Sequence, residues 1–257
     1  MNNDILDRCL VVTFSTGERT EALSDLSFEK LGFKNREIYS DSGGLREKFF
    51  RLAEFASNDK EYDFFIQNDA DRMVFDGVYT LIEECLEKKI DSAAGYGFDY
   101  LMNRIRGATP NFFSKRALTF LNDNRQLMPN VQKPLTAWGM AMKKSPDFIN
   151  TDINTITNLH DFEQMPSKVC NTLLNRLCRN HFHLYDKQHL SNLSPPLLQA
   201  VQHAIDLYNK GVRKDTINYE DFSFLDGDYP LIENDSLESL YEKYLTLYNE
   251  IKASTKL

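Results

Sequence analysis

The chain has 257 residues, is 42% hydrophobic and 26% charged, and carries a formal net charge of -8, the proportions of a globular protein able to bury a core. Its acidity argues against general nucleic-acid binding, which sets Lys and Arg against phosphates, and against attraction of the whole chain to anionic membrane surfaces. No run of roughly 18 apolar residues predicts a transmembrane helix.

The segment Met1–Arg8 is polar and acidic. It lacks the basic start and apolar run of a secretory signal, so the expected location is the cytoplasm. Cys9-Leu10-Val11-Val12-Thr13-Phe14 is a short apolar run rich in β-branched residues and predicts a buried strand. Ser15-Thr16-Gly17 breaks it. Ala22, Leu23, Leu26 and Leu31 give Thr20–Leu31 a helical pattern that Gly32 closes. Arg36–Tyr39 predicts a second strand, leaving through the polar turn Ser40-Asp41-Ser42-Gly43-Gly44. Leu45, Phe49, Leu52, Ala53 and Ala56 mark one side of an amphipathic helix.

Tyr62–Ile66 predicts the next strand, with Gln67-Asn68-Asp69-Ala70-Asp71 as its polar exit. A helix over Val78–Lys89 and a strand over Ser92–Tyr96 follow. Strand and helix thus alternate through the first half, which predicts an α/β domain with a mostly parallel sheet. Ligands of such sheets bind beyond the carboxyl ends of the strands, where Ser15, Asp41 and Asp69–Asp71 would meet. Further on, Asn111–Ser114 and Trp138–Met142 are expected strands, Lys115–Leu121 a helix, and Thr151–Thr157 alternates. Helical periodicity then covers Ser167–Cys178, Pro195–Tyr208 and Ser236–Ile251. The stripe Leu237, Leu240, Tyr241, Tyr244, Leu245, Tyr248 and Ile251 is expected to pack on the domain. The expected division is residues 1–165 for a catalytic domain and 166–257 for a helical region. The four scattered cysteines, Cys9, Cys85, Cys170 and Cys178, include no CxxC pair and are expected to be reduced thiols.

Asp69 and Asp71 on one turn place two carboxylates side by side. Without a cation they repel; with Mg²⁺ or Mn²⁺ they can clamp a diphosphate. Neither a GxxxxGK[ST] phosphate loop nor a strand followed by GxGxxG is present. His160-Asp161-Phe162-Glu163 is a second cluster, which the helix dipole would equally favour as a first helical turn. His181, His183, His189 and His203 are expected to be surface or core histidines. Lys115-Arg116 and Lys143-Lys144 are expected to be solvated, and Trp138 is expected in the core in preference to an acceptor-sugar platform.

The series Tyr62-Asp63-Phe64-Phe65-Ile66-Gln67-Asn68-Asp69-Ala70-Asp71, preceded by strands ending at Thr13-Phe14-Ser15 and Tyr39-Ser40-Asp41-Ser42, resembles the GT-A glycosyltransferases, including bacterial family-2-like enzymes. The resemblance covers Leu10–Glu163. It implies a Rossmann-type mixed sheet flanked by helices, with a helical C-terminal extension. It further implies that Asp71 coordinates Mn²⁺ or Mg²⁺, that Asp69 shares the metal or meets the donor ribose, and that Asp41 lies near base or ribose. Thr13 and Ser15 would line the nucleotide pocket, and His160 would be a further metal ligand. Asp161 or Glu163 would take the acceptor proton. Arg46 or Lys48 would balance diphosphate charge, although the local pattern favours a solvated helix face for both.

The implied activity is transfer of a hexose from a nucleoside-diphosphate sugar to a glycan or glycolipid acceptor, as in polysaccharide biosynthesis. Nucleotidyl or phosphoryl transfer by the same carboxylates is the nearest rival. The Gly-rich, Arg-containing opening typical of sugar nucleotidyltransferases is missing after Phe14. A non-catalytic protein acting through its helical tail is the second rival. Peripheral membrane contact and self-association through the C-terminal helices stay open.

Overall fold

The computed structural model describes residues 3–40, 44–127, 147–179, 185, 187–212, 219–230, 232–233 and 236–255. Asp41, the Trp138–Met142 segment, Lys143-Lys144, His181 and His183 lie outside the described residues.

Seven strands form one mixed sheet: β1 (Cys9–Phe14), β2 (Arg36–Tyr39), β3 (Phe64–Asp69), β4 (Arg72–Val74), β5 (Ser92–Asp99), β6 (Arg104–Ser114) and β7 (Asn150–His160), in the order β2-β1-β3-β6-β5-β7-β4. Helices α1 (Asn3–Asp7), α2 (Glu21–Lys30), α3 (Leu45–Asn58), α4 (Gly77–Glu87) and α5 (Lys115–Asp123) connect and flank them. Helices α6 (Pro166–Cys178), α7 (Lys187–Ser191), α8 (Pro195–Asn209) and α9 (Leu237–Ser254) follow, with a 3₁₀ segment at Tyr219–Leu225 between the last two.

Alternation along β1 sets the two layers. Leu10, Val12 and Phe14 pack with Phe49, Leu52 and Leu118 of α3 and α5. Cys9 and Val11 point the other way, toward Phe28 and Val78 of α2 and α4. Alpha-helical pairs α6 and α8 build a separate cluster with Leu101, Met102 and Phe222. Gly32 closes α2 with φ +81°, as its position predicts. Among the described residues no helix is long and apolar enough to cross a membrane.

The sheet is less parallel than the alternating pattern predicts. Strand β1 is parallel to β2 and β3, and β5 to β7, but the β3–β6, β5–β6 and β4–β7 pairs are antiparallel. The short turn between β5 and β6 forces reversal there. Strand β3 also outruns its apolar core, reaching Asp69. Gln67 and Asn68 are buried, yet Gln67 accepts from Asn111 Nδ2 at 2.7 Å and Asn68 Nδ2 donates to Ser24 Oγ at 3.0 Å, so polarity does not end the strand.

The expected packing of the C-terminal stripe is observed. Tyr241, Tyr244 and Tyr248 of α9 are buried against Leu23, Met73, Phe75, Leu159 and Phe162. Tyr248 stacks on Phe75 with ring centroids 4.4 Å apart. Its hydroxyl lies 2.8 Å from Asp76 Oδ1 and 2.9 Å from Ile156 O, and accepts from the Gly77 amide at 3.2 Å. Gly77 must be glycine, because a Cβ there would stand 1.8 Å from the Ile156 carbonyl oxygen. Tyr248→Phe strips the buried Gly77 amide and Ile156 carbonyl of one partner each, and urea denaturation should show a loss of about 1–3 kcal/mol with an unchanged m-value. Gly77→Ala should cost at least as much, through overpacking against backbone that has to move.

Candidate functional site

Strands β1 and β3 run parallel with Phe14 opposite Asp69, so Ser15, Thr16 and Asp69–Asp71 leave the sheet on the same edge. The Ser15 amide donates to Tyr39 O at 3.0 Å, tying that exit to the end of β2. Ser15 Oγ accepts from the Gly17 amide and lies 3.1 Å from Glu18 Oε2. Thr13 is buried inside β1 opposite Asn68, one step behind the edge.

Strand β7 delivers the second half of the site. His160 is in register with Arg72 of β4 on one side and Asp99 of β5 on the other. Its imidazole is thereby placed among carboxylates. Nε2 is 3.3 Å from Asp71 Oδ2; Nδ1 is 3.2 Å from Asp99 Oδ2 and 3.3 Å from Asp161 Oδ2. Arg106 reaches the same place from β6, with Nε 2.7 Å from Asp99 Oδ2 and Nη2 2.8 Å from His160 Nδ1. The chain then turns through two left-handed residues, Asp161 (φ +57°) and Glu163 (φ +48°). That backbone is costly for residues other than glycine and persists where surrounding contacts fix it. Asp161 turns back to His160. Glu163 faces the tail, accepting from Tyr244 Oη and Lys243 Nζ and lying 3.7 Å from Arg19 Nη2.

The electrostatics follow from burial opposed by neighbours. Burial and the Arg72 guanidinium oppose protonation of His160, but the Asp161 and Asp71 carboxylates outweigh them and lift it to about 9. Asp71 pays for burial too, yet the His160 charge holds its carboxyl well below the usual range. Asp99, against the same burial, is held at about 2 by His160 and Arg106. Burial dominates at Asp161, reinforced by Asp99 and Asp71, and raises it to about 6. Burial likewise raises Asp69, with Arg72 acting against it.

Asp71, His160 and Asp161 can each offer a ligand atom within 4.8 Å of the others. Two oxygens and an imidazole nitrogen suit Mn²⁺, or Mg²⁺ with more water. Two further observations fit a cation here. Asp71 Oδ1 is buried with no hydrogen-bond partner among the described residues. Asp99 backs the imidazole from its far nitrogen, the arrangement that orients a ligating histidine. Asp69 stands just outside this group, its Oδ1 accepting from Gln67 Nε2 at 2.9 Å and its Oδ2 lying 3.4 Å from Arg72 Nε.

Two cavities meet at Asp71. The smaller, about 210 Å³, is lined by Phe14, Thr16, Glu18, Lys48, Asp69 and Asp71. The larger, about 560 Å³, shares Thr16, Glu18 and Asp71 and adds Asp161 with Lys168 and Asn171 of α6. A third, about 570 Å³, runs along β2 and α3 between Tyr39, Arg51 and Asp59. It contains none of the metal-capable group, so size alone does not mark the site.

Two of these residues escape sequence reasoning. Asp99 and Arg106 are visible only once strand register is known. Lys48, whose local pattern favours a solvated face, is 2% exposed and lines the smaller cavity. Its signal was its place in the apolar stripe of α3, one turn before Leu52. Arg46 instead lies 5.3 Å over the Phe50 ring. His189 and His203 stand against Tyr100 and Phe222, apart from the cluster.

No family model matches the chain, and no curated protein matches it. Solved structures similar to it include A197 from STIV, 12% identical over 60% of this chain and 85% of that one, with a TM-score of 0.47. A glycosyltransferase involved in glycosylation of the major capsid of PBCV-1 is 14% identical over 61% of this chain and 95% of its own, at a TM-score of 0.38. A putative glucose-1-phosphate thymidylyltransferase from Bacillus anthracis is 8% identical over 57% and 87%, at 0.39.

Protonation of the cluster has a consequence for metal-free stability. His160 rises from an ordinary value near 6.5 to about 9, so its contribution is full below pH 6.5 and is lost as pH rises through 9. Asp161, raised from 3.8 to about 6, has the same sign but is exhausted above pH 6. Between pH 7 and 9 the loss should therefore follow His160. Melting temperatures of metal-stripped protein should fall across that window, and His160→Gln should flatten the fall. An equal slope in both proteins would contradict the assignment.

Proposed function

We propose that the chain is a divalent-metal-dependent glycosyltransferase, moving a hexose from a nucleoside-diphosphate sugar to a hydroxyl of a glycan or glycolipid acceptor. The observation that carries this reading is the position of Asp71. It lines both cavities and belongs to the group with His160 and Asp161. A donor laid across Asp71 has its nucleoside in the smaller cavity and its sugar toward the larger one.

Asp71 and His160 would hold Mn²⁺ or Mg²⁺, with Asp69 next to them, and Asp161 would stay free as the base. When bound, the cation supplies Lewis-acid neutralisation of the departing nucleoside diphosphate. Ser15 and Thr16 present hydroxyl and backbone groups at the sheet edge, and Thr13 supports that edge from within β1. Asp41 retains the role near base or ribose that the sequence resemblance gives it. Asp161 borders the larger cavity, where the proton of an acceptor hydroxyl has to go. Glu163 is held instead by Tyr244, Lys243 and Arg19, and serves to dock the tail.

The larger cavity takes one wall from α6, through Lys168 and Asn171. Residues 1–165 thus supply the donor side and the catalytic groups, and residues 166–257 add one wall of the acceptor side. The three buried thiols Cys9, Cys85 and Cys170 suit a reducing compartment, and we place the protein in the cytoplasm.

The test is product analysis with Mn²⁺ and a panel of UDP- and GDP-sugars. Release of UDP or GDP is expected, falling at least about 100-fold in Asp71→Asn and His160→Gln. Release of pyrophosphate from a nucleoside triphosphate and a sugar phosphate would move the protein to nucleotidyl transfer. Wild-type turnover surviving in both variants would remove the site.

A further inference from the structure

We propose that Lys48 is a substrate-binding residue whose ammonium contacts the donor phosphate nearest the nucleoside, independently of the metal. The inference rests on the reading that this site takes a nucleoside diphosphate, and it adds a second, protein-borne cationic point to it.

Lys48 projects from the second turn of α3, on the side shared with Phe49 and Leu52. It is 2% exposed, and its Nζ donates to the carbonyl oxygen of Ser15. An ammonium has three donors. Among the described residues no carboxylate lies within ion-pair distance of it, although Asp69 and Asp71 line the same cavity. A charge withdrawn from water is expensive unless an anion meets it. Fastening the Ser15 carbonyl would need only a neutral donor. The retained charge therefore points to an anion that arrives from outside.

Geometry identifies which anion. The cavity has the Phe14 ring and Lys48 on the β1–α3 side and the metal-capable group beyond Asp71 on the other. A diphosphate laid across Asp71 meets Lys48 with its inner phosphate and the Asp71, His160 and Asp161 group with its outer one. A nucleoside monophosphate carries only the inner phosphate, so its binding should depend on Lys48 and survive chelation of metal.

Calorimetry on the full chain with UMP, GMP, UDP and GDP, in EDTA and in Mn²⁺, tests this. Lys48→Met should weaken monophosphate binding in EDTA about 10–100-fold, the loss of one charge-assisted contact. Asp71→Asn should weaken diphosphate binding in Mn²⁺. Without ligand, Lys48→Met should melt at or above the wild-type temperature, because it removes a charge that is buried and has no ion pair among the described residues. Lys48→Gln keeps a donor for Ser15 and should lose the same affinity, which guards against a misfolded Met variant.

Wild-type monophosphate affinity in both Lys48 variants, or a lower melting temperature with affinity intact, would overturn the role and leave Lys48 as a loop fastener. Wild-type binding seen only with Mn²⁺ would overturn the metal-independent anchor. No wild-type binding of any of the four nucleotides under either condition would sink the glycosyltransferase reading itself, and this inference with it.

Discussion

The pairing of His160 with Arg72 on one side and Asp99 on the other decides where every charged group of the site stands. Among the described residues, strand β7 lies between β4 and β5 in the sheet order. A slip of one residue would turn His160 to the opposite face, because side chains alternate along a strand. The imidazole would then leave Asp71 and Asp99, with only Arg72 and Arg106 to offset their charge. Register here is an electrostatic requirement as much as a packing one. The apolar neighbours Ile156 and Leu159 fix it by burying against Phe75 and the tyrosines of α9.

That arrangement lets the protein fold around four close carboxylates, Asp69, Asp71, Asp99 and Asp161, before any metal arrives. Arg72 and Arg106 neutralise part of the charge. Protons complete the balance, one on His160, whose value of about 9 keeps it charged at neutral pH, and a fractional one on Asp161. A divalent cation at Asp71 and His160 has to displace the imidazole proton, so binding and proton release are linked. The same carboxylates that ask for a metal are thus tolerated without it. Lys48 stands outside this exchange, on the far side of Asp71, with a backbone carbonyl as its partner.

The local parts of this design are legible in the sequence, and the relational parts are not. Strands β1 and β2 have the bounds the sequence predicts, since turn residues stop both cleanly. The Asp-x-Asp exit and the later His-Asp pair are visible as chemistry-bearing clusters. Their meeting depends on β4, three residues long and too short to carry a periodic signal. Asp99 and Arg106 needed the β5–β6 hairpin, whose turn residues Tyr100–Asn103 give no strong sign. Asp161 and Glu163 fit a first helical turn by composition, yet β7 runs on to His160 and the helix waits for Pro166. Lys48 sat inside an apolar stripe, and a charge there is easily taken for a side chain that bends away to water.

The last helix reaches into the site through that same exit from β7. Asp161 and Glu163 both hold left-handed backbone, which Asp tolerates better than Glu. Glu163 is kept there by Tyr244 and Lys243 of α9 and by Arg19 from the loop after β1. Phe162, between the two, is fully buried against Tyr244, with ring centroids 4.9 Å apart. Released from α9, the turn would relax toward ordinary backbone, and Asp161 would leave the position 3.3 Å from His160. Helix α9 is thus part of what positions the carboxylate at the boundary of the larger cavity. The physical reason is that a strained turn needs contacts on both flanks, and the sheet supplies only one of them.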